Sequence, residues 1–390
     1  MARDTKIQYQ PKPWRKTPLV ESANLSKAAG CDYPFTMQLR HRSLNRRSRI
    51  FLKLDLLQPS GSFKSRGIGA FILSTLQQSA SPEKIHFFSS SGGNAGLAAV
   101  TASKALGRPC TVVVPNSTKP MMIAKLKAAG ASEVVQYGAS WKEADTYMRD
   151  HVMKSANGGT EAVSVHPFDA DETRRGNSTV VDEIDDQLLE LGEGDYGPDV
   201  LVASVGGGGL FSGIAQAIFE DPARAHWRTT VLATETKGAD SLSQALAEKE
   251  LVTLPGITSL ATSLGATRVA ERTFELAKKW EEAGRVKSAV FTDAEAAMGC
   301  WRLADDERLL VELACGVNLA VCYGGRLEKA LGRPVRKDEK VVIEVCGGSN
   351  VSTEIIEGWR REYGDLDADV NGAQQVADVP SAAEAPNGKV

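Results

Sequence analysis

The stretch Ser60-Gly61-Ser62-Phe63-Lys64-Ser65-Arg66-Gly67-Ile68-Gly69 follows a strand-like apolar run over residues 50–55 and the pair Gln58-Pro59. It leads into a helical run over residues 70–77. One lysine, Lys64, therefore sits where a strand turns into a helix, among small hydroxyl residues and ahead of Phe71 and Ile72. A lysine in an enclosed place costs free energy unless it is paired or used as an amine. Its pKa falls readily on desolvation, which suits a nucleophile or a Schiff-base former. A solvated lysine after a turn fits these residues equally well.

Two further stretches shift that balance. Phe87-Phe88-Ser89-Ser90-Ser91-Gly92-Gly93-Asn94-Ala95-Gly96 again reads as strand, tight turn and helix start. Val200-Leu201-Val202-Ala203-Ser204-Val205 runs into Gly206, Gly207, Gly208 and Gly209 and then a helix. Without Cβ atoms, backbone N–H groups of such a loop can converge on an anion, and the helix N-terminus adds a favourable dipole. A glycine run alone is more often a flexible turn, but its place after a buried strand favours a phosphate site.

In this order the three stretches resemble the pyridoxal-phosphate enzymes of the tryptophan-synthase-β type, and among them the serine/threonine dehydratases. The resemblance runs from about Pro18 to Ser352. It recurs in His166-Pro167-Phe168-Asp169, Glu235-Thr236-Lys237-Gly238-Ala239, residues 258–265, Asp305-Asp306-Glu307-Arg308 and Val345-Cys346-Gly347-Gly348. It implies an α/β fold of two lobes, each a mostly parallel sheet flanked by helices. Residues 1–59 would join the large lobe, 60–168 form the small lobe, and 169–363 form the large, cofactor-binding lobe. The activity implied is β-elimination of L-serine to pyruvate and ammonia, with L-threonine as a second substrate. By analogy the enzyme would be a homodimer.

The same resemblance assigns residues. Lys64 would bond pyridoxal phosphate, and Phe63 would pack on its ring, although a plain core phenylalanine reads as well. Asn94 would bond the ring hydroxyl, with Gly206, Gly207, Gly208 and Gly209 holding the phosphate. Ser91, Gly92 and Asn94 would cradle the substrate carboxylate; the alternative is a helix N-cap. Cys346 would face the pyridine nitrogen, the alternative being an ordinary buried cysteine. A thiol is a weak hydrogen-bonding partner, so electrons released at Cα would be expelled at Cβ, which favours elimination over transamination. Glu235, Ala239, Leu264 and Ala266 match segments that ring a monovalent cation such as potassium. Leu313 stands where relatives usually carry proline. Cysteine synthases and serine racemases share the lysine and glycine loops, but Cys346 and the Ser-Ser-Gly-Gly-Asn wording argue against both. A non-catalytic binding module should have lost the lysine.

Composition fits this reading. A chain of 390 residues is long enough for two domains. Its net charge of −3 argues against a nucleic-acid binder, which would show a basic excess. No apolar run approaches the length of a membrane span. Cys31, Cys110, Cys300, Cys315, Cys322 and Cys346 show no CxxC spacing, so reduced thiols in an intracellular compartment are expected. The cytoplasm is favoured over the mitochondrion, for which the mildly basic first residues speak weakly.

Along the chain, apolar runs at residues 85–89, 110–114, 133–137, 200–204, 230–234, 288–292 and 340–345 alternate with helical runs, the signature of parallel sheets covered on both faces. Thr17-Pro18-Leu19 is expected to enter a short helix. Residues 31–49, rich in arginine, interrupt the pattern; a disordered basic loop, a species-specific contact and a retained intron all fit. Residues 364–390 read as a disordered tail. Asp305-Asp306-Glu307 reads as a solvated helix face, and His166 as structural.

Overall fold

Burial on both faces shapes the sheets. Val200-Leu201-Val202-Ala203-Ser204 is buried from end to end, and so is Cys110-Thr111-Val112-Val113-Val114. Runs of this kind occupy the interior of parallel sheets covered by helices. The computed structural model describes residues 11–30, 48–156, 159–194, 196–336 and 338–366. The chain opens with β1 (Leu19–Ser22), α1 (Ala23–Ala28), β2 (Arg49–Lys53) and α2 (Lys64–Gln78). It continues with β3 (Ile85–Ser89), α3 (Asn94–Ala105), β4 (Cys110–Val114), α4 (Pro120–Ala129), β5 (Glu133–Gln136), α5 (Trp141–Tyr147) and β6 (Glu161–Ser164). Then come α6 (Asp171–Glu190), β7 (Val200–Ser204), α7 (Gly209–Phe219), β8 (Thr230–Thr236), α8 (Ser241–Glu248), α9 (Glu271–Glu282) and β9 (Val286–Phe291). The remainder is α10 (Asp293–Glu307), α11 (Leu313–Ala320), α12 (Arg326–Leu331), β10 (Lys340–Glu344) and α13 (Thr353–Tyr363).

Two sheets result. One is four-stranded and parallel, in the order β5-β4-β3-β6. The other is six-stranded, β1-β2-β10-β7-β8-β9, and parallel except where β1 runs against β2. The first strands of the chain thus belong to the larger sheet, beside its last strand. Each sheet has its own apolar core, one including Ile68, Ile72, Phe87, Val112 and Leu126, the other Phe51, Ile184, Val202, Phe211 and Val342. Among the described residues no helix is long and apolar enough to cross a membrane.

The structure departs from the sequence reading at the edges. Strand β1 precedes the short helix expected after Pro18, because Leu19–Ser22 finds an open edge of β2 to pair with. Arg49, counted with the basic insertion, is instead the first residue of β2, and its guanidinium bonds Glu21 and Glu193. Residues 31–47 of that insertion and residues 367–390 of the expected tail lie outside the described residues.

A buried ionic network sets where α2 starts. The Arg66 guanidinium, fully buried, donates through Nε and Nη2 to Asp55 at 2.6 and 2.7 Å. It donates through Nη1 and Nη2 to Glu183 on α6, both at 2.7 Å. Lys53, also fully buried, reaches Glu183 at 2.7 Å and the Thr17 carbonyl at 2.7 Å. Burial alone would push the Asp55 pKa up, but Arg66 overrides it and the net direction is down. The two cations and two anions balance, which is the condition for keeping charge in the interior. Close approach of α2 to α6 also needs Gly67 and Gly176, since a Cβ on Gly176 would fall 2.4 Å from the Arg66 carbonyl oxygen.

Removing one partner of this network strands a buried charge. Asp55→Ala is expected to cost about 3–5 kcal/mol, read as a lower urea midpoint, whereas Lys16→Ala, on the exposed pair with Asp186, should move it by less than about 1 kcal/mol.

Candidate active site

Lys64 is the first residue of α2, and its Nζ donates to the Pro167 carbonyl at 2.7 Å. Protein surrounds the amine while part of the side chain keeps contact with solvent. Burial lowers its pKa to about 8, against the opposing pull of Cys346 and Glu312. The turn before it is pinned to the loop after β10. Phe63 N donates to the Cys346 carbonyl at 3.0 Å, and Gly348 N donates to the Gly61 carbonyl at 2.9 Å. The Phe63 ring lies against the lysine, 5.1 Å from Nζ to its centroid.

Gly206, Gly207, Gly208 and Gly209 link β7 to α7. Their N–H groups find no acceptor among the described residues, so four donors are left at a helix N-terminus. Side chains are excluded here by contact. A Cβ on Gly207 would lie 2.4 Å from the Phe168 ring, and one on Gly209 would lie 2.6 Å from the Phe168 carbonyl oxygen. Gly208 has a φ of +91°, a left-handed conformation that favours glycine. Phe168 adjoins Pro167, so a single turn touches both the lysine and the glycine loop.

Asn94 starts α3 and spans to the other sheet. Its Nδ2 donates to Glu312 Oε1 at 2.7 Å and to Ser263 Oγ at 3.3 Å, while its Oδ1 accepts from Ser349 N at 2.9 Å. Ser91 Oγ accepts from Gly93 N at 3.3 Å, which shapes the loop before Asn94. Gly92 is small by need, since its Cβ would meet Thr118 at 2.8 Å.

Glu312 is the residue that the sequence reading passed over. It is buried and also accepts from Asn350 N at 2.9 Å. Burial raises its pKa against the hydrogen bonds from Ser263, Asn350 and Asn94. Its signal was present as the lone acid in Leu309-Leu310-Val311-Glu312-Leu313-Ala314, because a carboxylate inside an apolar run is seldom buried without a partner. A cavity of about 140 Å³ opens beside it, lined in part by Lys119, Thr262, Ser263 and Asn350. A larger cavity of about 250 Å³, lined by Trp14, Glu172 and Arg175, includes none of these groups and lies apart from the chemistry.

Cys346 is buried in the loop just after β10, 3.7 Å from Ser204 Oγ and 3.9 Å from the Ala314 carbonyl. Its hydrogen bond with Cys315 and its burial push the thiol pKa well up, so the sulfur stays neutral. Glu235, fully buried on β8, accepts from Leu242 N at 2.9 Å and Ser243 N at 2.7 Å at the start of α8. Burial pushes its pKa up to about 8. Ala239 and Leu264 are buried, and Ala266 N donates to the Leu264 carbonyl. Among the described residues no group of three or more His, Cys, Asp or Glu is placed to hold a metal.

The site suits a phosphate ester bearing an aldehyde: four N–H donors left open at a helix start, an amine whose pKa burial lowers, and a neutral thiol. A family model described as "Pyridoxal-phosphate dependent enzyme" matches residues 12–347. The chain belongs to the pyridoxal-phosphate-dependent enzymes. It is 43% identical over 311 residues to an L-serine dehydratase of Saccharomyces cerevisiae, across 79% of this chain and 90% of that one. It is 40% identical over 343 residues to a serine dehydratase-like protein of Rattus norvegicus, across 87% and 92%. The structure of a fungal L-serine ammonia-lyase from Rhizomucor miehei matches with a TM-score of 0.75 at 28% identity, covering 90% of this chain and all of that one. The two helix-flanked parallel sheets are those of a fold type II enzyme of this family.

If Lys64 carries the cofactor, purified protein should show the visible absorbance of a lysine-bound pyridoxal phosphate. Lys64→Ala is expected to lose that band while keeping the wild-type circular dichroism; a retained band would move the attachment to another lysine.

Proposed function

We propose that this enzyme is an L-serine ammonia-lyase that converts L-serine to pyruvate and ammonium and also takes L-threonine to 2-oxobutanoate. The observation that carries the reading is the Lys64 amine, held at Pro167 with its pKa lowered to about 8 and placed near the glycine loop through one shared turn. The yeast relative named L-serine dehydratase and the fungal structure named L-serine ammonia-lyase support the substrate class.

In this reading Lys64, Phe63, Asn94, Cys346 and the glycines 206–209 hold pyridoxal phosphate between a small lobe of residues 60–168 and a large lobe formed by residues 1–59 and 169–363. When bound, the cofactor supplies an electron sink that acidifies the Cα–H of a joined amino acid. Ser91, Gly92 and Asn94 hold the substrate carboxylate. The Lys64 amine, neutral in a substantial fraction of molecules near its lowered pKa, takes the Cα proton at Nζ. The neutral Cys346 thiol offers no charge to a ring nitrogen, so the pair released at Cα would form the Cα=Cβ bond while the Cβ–O pair departs with the hydroxyl, which takes up a proton and leaves as water. The enamine product takes up water and gives the keto acid and ammonium.

Pyruvate should appear when purified enzyme is given L-serine, and its absence would remove the reading. Cys346→Asp places a carboxylate where the thiol stands and favours a charged partner. It is expected to slow pyruvate formation by about tenfold or more, ~1.4 kcal/mol of barrier, and to raise racemisation, in which Cα regains its proton. An unchanged rate without racemisation would exclude Cys346 from the ring nitrogen.

The reading also includes a homodimer and a monovalent cation, potassium being the first choice, at Glu235 and the carbonyls of Ala239, Leu264 and Ala266. A cation there would favour the ionised Glu235 carboxylate, whose pKa burial otherwise raises to about 8. Exchange of potassium for tetramethylammonium should therefore reduce turnover most below pH 8. Equal rates in both salts would remove the cation.

A further inference from the structure

His166 follows β6 and begins the turn that touches both halves of the site. Its Nδ1 accepts from Asp169 N at 2.9 Å and more weakly from Phe168 N at 3.4 Å. Backbone amides always carry their hydrogen, so Nδ1 must present a lone pair and the ring proton must lie on Nε2. Those two amides belong to the peptide units that carry the groups that matter. Pro167 supplies the carbonyl that receives Lys64 Nζ, and Phe168 fills the space over Gly207 and Gly209. The imidazole and the Phe168 ring meet edge to face at 4.8 Å.

We propose that His166 is a positioning residue for Lys64: its neutral imidazole, accepting at Nδ1, holds the turn that presents the Pro167 carbonyl to the amine and Phe168 to the glycine loop. This rests on Lys64 being the cofactor lysine. A proton on Nδ1 would replace the acceptor by a donor, set it against the two amides and release the turn.

The surroundings favour the neutral ring. Asp169 faces it from its own turn, Lys64 from the start of α2, Asp145 from α5, and Arg149 from the π-helical turn Met148–Val152. Both acids are engaged elsewhere. Asp169 accepts from Arg174 at 2.8 Å, and Asp145 accepts from Ser90 at 2.7 Å and Arg149 at 2.8 Å. Burial lowers the imidazole pKa, Lys64 and Arg149 lower it further, and Asp169 and Asp145 oppose them. The sign follows. The contribution of this hydrogen bond is complete above the ordinary imidazole value of about 6.5 and is lost as pH falls through the lower folded value.

The test uses full-length enzyme loaded with pyridoxal phosphate and carrying ¹⁵N-histidine. The chain has five histidines, so His166→Asn identifies the signal of residue 166 by its loss. Long-range ¹H–¹⁵N spectra at about pH 8 should show Nε2 protonated and Nδ1 bare, with titration below about 6.5. The second readout is kcat/KM for pyruvate formation against pH. Asparagine can place Oδ1 near the position of Nδ1 but does not titrate, whereas alanine offers no acceptor. His166→Ala is expected to lose about tenfold in kcat/KM near pH 8, and His166→Asn to recover a large part of it. The wild-type acid limb that tracks the imidazole should be missing from His166→Asn. A proton on Nδ1 near pH 8 overturns the proposal. So does His166→Asn with the wild-type acid limb, or His166→Ala with the wild-type rate. The spectra need no turnover, so failure to make pyruvate would sink the elimination reading while the tautomer still decides this one.

Discussion

The Arg66 guanidinium, clamped between Asp55 and Glu183, is the contact on which the site's placement depends. It lies two residues after Lys64, on the first turn of α2, and bonds one acid from the turn after β2 and one from α6. Arginine suits the position because its planar fork can meet two carboxylates at once, and a lysine ammonium cannot reproduce that geometry. Lys53 and Thr17 extend the network to the strap that precedes β1. Since the smaller sheet packs on the other side of α2, the network transmits the frame of the larger sheet to the amine. The lysine is thus located by charge at one end and by the loop after β10 at the other.

The glycine loop solves a different problem. Close contact with Phe168 and Thr273 leaves no room for Cβ atoms on residues 207 and 208. The same bareness leaves the N–H groups of the loop available, so packing and anion binding ask for the same residue. The turn at His166 then couples this loop to the lysine through two adjacent residues, Pro167 and Phe168.

Burial shifts the pKa of the acids around the site in one direction. Glu312, Glu235 and Glu344 all have pKa values raised first by burial. Glu344 stands opposite Lys53 in the β2–β10 register, and neither of its carboxyl oxygens has a hydrogen-bond partner. A neutral acid costs far less to bury than a carboxylate, which is why burial moves all three in the same direction. Asn94 is oriented by one of them, and its amide is therefore fixed before any ligand arrives.

The sequence by itself determined the motif order, the alternation of strands and helices, and the limits of strands such as 85–89, 110–114 and 200–204, which coincide with the apolar runs. Those strands are buried on both faces, so their pattern is local and complete. The lysine, asparagine and glycine motifs were legible for the same reason, each being written in consecutive residues. Strands β1 and β6 were not, because Leu19–Ser22 and Glu161–Ser164 lack the adjacent valines that announce β5 and become strands through their partners. Glu312 joins Asn94 across 218 positions of chain, and no local pattern can announce such a bond. The acceptor of Lys64, the protonation of His166 and the clamp on Arg66 were likewise decided by which groups the fold brings into contact. Burial then fixed their charge, since the free energy of an ionised group depends on neighbours that only the tertiary structure supplies.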